Sequence, residues 1–257
     1  QALTALQAFR ELACKHHDAR LTPLGIRQAQ AVNALFADGT WPLPEVVLTS
    51  TQSRALATAV TAFGSLNVPI VASDLWRERC GLWLSEHRRV RSALAEDFPL
   101  VDFAEVTSET DMLWSEIRET RTEVDERAKA ATLGLLSRRE AVIAVVSHSL
   151  FLANCVLSRQ NRNLAEVSDE LQGPFGNAEV RVAKLICEGP DKQAILRWHS
   201  TIPNGAVIDP RQQEAYDRYG RQNMQALSDF GKKHDVKAVL ERFSSERAAA
   251  IAADEHR

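Results

Sequence analysis

Three side chains stand where an α/β protein does chemistry, at or just past the ends of apolar, β-branched runs. His148 follows AVIAVVS (141–147) and precedes the apolar SLFLANCVLS (149–158). A strand-to-helix turn offers an anion backbone N–H groups and the positive end of a helix, and an imidazole there can hydrogen-bond a phosphoryl oxygen. A half-buried histidine satisfied by a carbonyl fits the position equally well. Arg54 falls in the first turn of the helix that follows EVVLTS (45–50). From that place its guanidinium fork can grip two phosphate oxygens, although a single arginine is more commonly a solvated surface residue. Glu78 lies in DLWRERCG (74–81), just after a strand that ends near Ser73. A carboxyl at a strand end can hand a proton to a leaving oxygen if its surroundings keep it protonated. The bland alternative is a salt bridge to Arg77 or Arg79.

These positions matter because of the elements around them. LTPLGIRQAQAVNALFADG (21–39) predicts a helix, with Thr22 as N-cap, Pro23 at the first helical position and Gly39 as the stop. Strands are expected at 45–50, 68–73 and 141–147, and helices at about 50–63, 87–97, 113–137 and 149–158. The 141–147 run lacks alternation, as a strand covered on both faces should. Residues 178–187 and 193–200 read as late strands joined by a turn at Gly189-Pro190. Residues 1–17 carry Leu3, Leu6, Phe9 and Leu12 at helical spacing. Strands alternating with helices imply an α/β domain with a mostly parallel sheet, whose ligands sit at the carboxyl ends of the strands. That rule gathers Ser50, Ser73–Glu78 and Ser147–His148 on one rim.

Composition bounds the function. The 257 residues are 45% hydrophobic and 25% charged, with a net charge of −3. That balance argues against a general nucleic-acid binder or a binder of anionic membranes. No apolar run is long enough to span a bilayer. Cys14, Cys80, Cys155 and Cys187 are widely separated, without metal-ligand spacing. They read as reduced cysteines of a cytoplasmic-type compartment. No Gly-rich phosphate loop supports a nucleotide-binding reading.

Taken together, Asp18 with LTPLGIRQA (21–29), LTSTQSRALATA (48–59), WRERCG (76–81) and VVSHS (145–149) occur in the order and spacing of the histidine phosphatase superfamily. The chain resembles its phosphoglycerate mutase-like branch through RRVRSALAEDFPLVDF (88–103), DMLW (111–114) and FGNAEVRV (175–182) as well. The resemblance implies a three-layer α/β fold over a domain of residues 1–205, followed by a helical extension, 206–257. It implies that His148 stabilises a transferring phosphoryl group, Arg54 clamps phosphate and Glu78 protonates the leaving oxygen. It adds a backbone anion contact from Ser149. Arg88 and Arg89 match a basic pair that lies near substrate in relatives, with surface solvation an equal alternative. The implied reaction needs no metal or cofactor, and its substrate is a small phosphorylated anion.

The implied chemistry also needs a nucleophilic histidine in an Arg-His-Gly or Arg-His-Ala motif at the end of a first strand, which forms a phosphohistidine that water then hydrolyses. Neither motif occurs in the sequence, and His16 and His17 follow Lys15 at a polar helix end. The expectation is a chain that begins just after that motif, lacks the first strand of its sheet and is inactive and marginally stable as it stands. The other reading is a non-catalytic relative, a phosphate-binding or interaction module. Ser149-Leu150 replaces the usual Gly-Gly or Ser-Gly after the second histidine and narrows the pocket or alters the turn. In the extension, Tyr216, Tyr219, Met224, Leu227 and Phe230 form an amphipathic pattern that either packs back on the domain or binds a partner.

Overall fold

The computed structural model describes residues 16–39, 41–152, 175–188, 193–202 and 229. The proposed helix within 1–15, the Gly189-Pro190 turn and the 205/206 boundary with nearly all of the extension lie outside these residues.

Helix α1, Pro23–Ala37, starts as its sequence dictates. Pro23 occupies the first turn and the Thr22 hydroxyl accepts the Gly25 N–H at 3.1 Å. Strand β1, Val46–Ser50, is buried along its whole length. Helix α2, Ser53–Phe63, follows it directly. Strand β2, Ile70–Ser73, pairs in parallel with β1, as does strand β4, Ile143–Val146, on the other side. A two-residue strand β3, Val101–Asp102, extends the sheet beyond β2, giving the order β3-β2-β1-β4. It is too short to leave a periodic trace in the sequence. Strands β5, Val180–Glu188, and β6, Gln193–Ile202, form a separate antiparallel pair.

The chain packs in three layers. On one face of the sheet, Val47, Ile70 and Ala72 meet Val32 and Phe36 of α1 and Leu56, Ala59 and Phe63 of α2. On the other face, Val46 and Leu48 meet Val124, Ala128 and Ala131 of helix α4, Arg121–Leu136, together with Trp76 and Phe151. The period-2 alternation of β1 therefore survives even though both of its faces are apolar.

Strand β4 is covered on both faces as expected, with Ala144 and Val146 against the α1 and α2 side and Ile143 and Val145 against the α4 side. It is half-buried throughout, and among the described residues it has a sheet partner only in β1. Two expectations need correction. The long charged helix begins at Arg121 rather than 113, because Asp111 Oδ1 takes the N–H groups of Leu113 and Trp114 into a turn. A capping box between Thr120 and Glu123 then fixes the start. The helix expected from 87 begins at Arg91, giving α3, Arg91–Asp97, because His87–Val90 are drawn into contacts with neighbouring loops. After His148 a helical turn opens over 149–152, with Leu152 N–H donating to the His148 carbonyl.

Candidate active site

The site is built where the carboxyl ends of β1, β2 and β4 meet. His148 follows β4 by two residues and is buried, with its Nε2 2.9 Å from Ser50 Oγ at the end of β1. Its turn is held on both sides. Ser147 Oγ donates to the Trp76 carbonyl at 2.6 Å, and Ser149 Oγ donates to the Phe175 carbonyl at 2.7 Å. Phe151, fully buried, anchors the turn edge-on against Trp76. Burial holds the His148 imidazole well below its usual range, and the positive charges of Arg54, Arg77 and Arg127 push it the same way. His148 is therefore neutral at neutral pH, in a field that favours an anion.

Arg54 lies in the first turn of α2. The N-cap residue, Gln52, makes no capping bond with its own side chain. Asp18 supplies the cap from a distance, accepting Ser53 N–H at 2.8 Å and Ser53 Oγ–H at 2.6 Å. Arg54 Nη1 donates to the Ser85 carbonyl at 2.8 Å and Nη2 to Gln52 Oε1 at 3.1 Å. Burial lowers its pKa, while Glu78, Glu86 and Asp18 pull it up. Arg54 is thus a half-buried, oriented cation, not a solvated surface arginine.

Glu78 is half-buried, and its carboxylate accepts the backbone N–H of Arg79 at 2.9 Å. Neither expected salt-bridge partner takes it. Arg77 forks onto Asp111 at 2.5 and 2.7 Å, and Arg79 Nε donates to the Glu119 carbonyl at 2.7 Å. The segment that carries Glu78 is clamped from α4. Arg127 donates to the carbonyls of Leu75, Arg77 and Glu78 and pairs through Nε and Nη2 with Glu119 at 3.0 and 2.7 Å. Its guanidinium also lies 4.5 Å from the centre of the Phe151 ring, so one residue braces both the Glu78 segment and the His148 turn.

Arg88 and Arg89 are both engaged within the fold, Arg88 fully buried and Arg89 half-buried. Arg88 is fully buried, and its guanidinium is spent on Asp74, Ser108 and the carbonyls of Arg89, Glu109 and Thr110. Arg89 contacts Asp18 at 3.4 Å, Asp97 at 2.9 Å and Ser53 Oγ at 3.1 Å, and so supports the remote cap of α2. The Ser149 hydroxyl serves the Phe175 contact, and its backbone N–H opens the turn after His148.

Sequence reasoning missed Gln52. Its Oε1 accepts from Arg54 and from the Glu78 N–H at 3.4 Å, while its Nε2 donates to the Glu86 carbonyl at 2.9 Å. It links three site segments, and the available signal was a long amide at a helix entry beside an arginine. Arg77, weighed beforehand only as a partner for Glu78, is a fully buried cation that contributes to the field on His148.

Comparison with known proteins adds the family. Residues 6–199 match the histidine phosphatase superfamily (branch 1). Phosphoglycerate mutase-like protein 1 of Arabidopsis thaliana is 32% identical over 233 residues, which cover 76% of this chain and 82% of that protein. A second Arabidopsis thaliana phosphoglycerate mutase-like protein is 28% identical over 223 residues, covering 74% and 82%. Among solved structures, a mycobacterial glucosyl-3-phosphoglycerate phosphatase in complex with inorganic phosphate gives a TM-score of 0.48 at 19% identity, covering 74% of this chain and 90% of the other.

Proposed function

Since the chain belongs to the histidine phosphatase superfamily, we propose that it carries the phosphate-handling part of a phosphomonoester hydrolase that works through a phosphohistidine. The observation that carries this reading is the buried, neutral His148 at a strand end, in the combined positive field of Arg54, Arg77 and Arg127. Such a pocket is complementary to a phosphoryl group, whose charge grows on its peripheral oxygens as the bond to the leaving group breaks. Arg54 turns its guanidinium to those oxygens, and His148 hydrogen-bonds one of them. Glu78, on the clamped segment opposite, hands a proton to the leaving oxygen. In this reading the phosphoacceptor histidine comes from outside the 257 residues, which hold no Arg-His-Gly or Arg-His-Ala. The substrate is a small phosphorylated anion.

The test is hydrolysis of p-nitrophenyl phosphate by the protein extended with the sequence encoded before Gln1. Arg54→Ala and His148→Ala are each expected to lower kcat/KM by at least about 100-fold while the fold is kept. A folded, extended protein with no phosphatase activity overturns the enzyme reading. That outcome favours the second reading, a module that binds phosphate without cleaving it, which the absent motif supports.

A further inference from the structure

The short 3₁₀ turn Leu84–Glu86 lies beside Gln52, Arg54 and Arg77 of this site. The Glu86 carbonyl accepts from Gln52 Nε2 at 2.9 Å and from the Arg77 guanidinium, and the Ser85 carbonyl accepts from Arg54. The turn is therefore tied to the side chains that shape the phosphate pocket. The Glu86 carboxyl itself is buried, with only 6% of the residue exposed. Its Oε1 accepts from Arg118 Nη2 at 3.1 Å. Its Oε2 is shielded from solvent and has no hydrogen-bond partner among the described residues.

A buried carboxylate oxygen with no donor is costly, and a carboxyl escapes that cost by keeping its proton. Burial does push the Glu86 carboxyl up to about 8, with Glu78 adding to the rise and Arg118, Arg54 and Arg77 opposing it. With Oε1 occupied by Arg118, Oε2 is the oxygen left to hold the proton. A protonated oxygen with no acceptor is a donor awaiting one, and an oxyanion held by Arg54, whose guanidinium is bonded to this same turn, would bring acceptor oxygens close to it.

Resting on the phosphate-site reading above, we propose that Glu86 is a further binding residue of this site, whose neutral carboxyl donates a hydrogen bond to an oxygen of the bound anion. Ionised Glu86 offers no donor and sets a negative charge beside the ligand, so binding is proton-linked. Glu86 is protonated below about 8 and loses its proton above that pH, so anion binding is strong below and weakens above. The charged groups that face it are Arg118 from the loop before α4, Glu78 and Arg77 from the segment after β2, and Arg54 from α2. His148 shares the pocket, but its imidazole is held well below its usual range and stays neutral across the pH values compared.

The experiment is calorimetric titration of the full chain with sulfate, a tetrahedral dianion whose own charge is constant across the range, from pH 6.5 to 9.5. The wild type should lose affinity above pH 8 by up to about tenfold per pH unit. Glu86→Gln keeps an amide oxygen for Arg118 and should remove that alkaline loss. Arg118→Gln withdraws a cation from Oε1 and should move the loss to higher pH. Circular dichroism of each variant confirms the fold. The proposal is overturned alone if sulfate binding disappears in Arg54→Ala yet has the same pH dependence in wild type and Glu86→Gln. If wild type binds no sulfate at any of these pH values, the phosphate-site reading and this proposal fall together.

Discussion

The two halves of the site are held by opposite means. The Arg77–Glu86 segment has little regular structure, and side chains hold it: the Arg77–Asp111 fork, the Arg127–Glu119 pair, and the Glu119 carboxylate that accepts the Cys80 N–H, beside one backbone bond from the Glu119 N–H to the Cys80 carbonyl. The His148 turn is placed by the sheet beneath it and by the apolar anchor of Phe151, with a few single hydrogen bonds for trim. An irregular loop has no ladder to satisfy its carbonyls, so arginine, with five donors in a rigid fork, substitutes for one. A turn between a strand and a helix inherits its geometry and needs only local adjustment. Damage should therefore spread widely from the loop and stay local in the turn.

The largest break comes from Arg127→Ala. It strands the Glu119 carboxylate in a buried site and removes the donor from three loop carbonyls. A loss of about 3–5 kcal/mol in unfolding free energy is expected from chemical denaturation, the scale for breaking a buried pair by removing one partner. A loss near that of an exposed ion pair would mean that the loop is not held by its arginine.

Gly81→Ala should cost less, about 1–3 kcal/mol in the same assay. Gly81 has φ +98°, and an added Cβ would lie 2.3 Å from the Ile117 carbonyl oxygen, against backbone that cannot swing away. The neighbouring 115–119 strip should detach with it, since Leu82 N–H donates to the Ser115 carbonyl. Unchanged stability would show that the two strips are not tightly docked.

The smallest effect on stability is expected in the turn. Ser50→Ala deletes the partner of His148 Nε2 and the acceptor of the Gln52 N–H, at about 1 kcal/mol. NMR titration of the His148 imidazole should nevertheless register the change, because its buried hydrogen-bond partner is gone. A global loss as large as that of Arg127→Ala would erase the contrast between turn and loop.

The sequence made the turn half of this comparison readable. Apolar runs marked β1 and β4, Thr22-Pro23 marked the start of α1, and His148 stood between a strand pattern and a helix pattern. Those signals are local, confined to a few consecutive residues. The loop half depends on partners far apart in the chain. Arg77 and Asp111 are 34 residues apart, and Arg88 is saturated by carbonyls 20 to 22 residues on. No periodicity announces such bonds, so the ties of Arg88 to these carbonyls and of Arg89 to Asp18 and Asp97 leave no trace in the sequence. Glu86 was passed over for a similar reason. Its character comes from burial and from an unmatched oxygen, neither of which a lone Glu in a polar stretch displays.

The remote cap of α2 has a consequence in time. Asp18 and Ser53 are 35 residues apart, and α1 and β1 lie between them. A helix capped by its own N-cap residue can settle its first turn as soon as it nucleates. Here that turn, the one that aims Arg54, gains its cap only when a 35-residue loop has closed, at an entropic cost that local contacts do not meet. The anion-gripping turn should therefore reach its final order late in folding, after the strands and helices around it have formed.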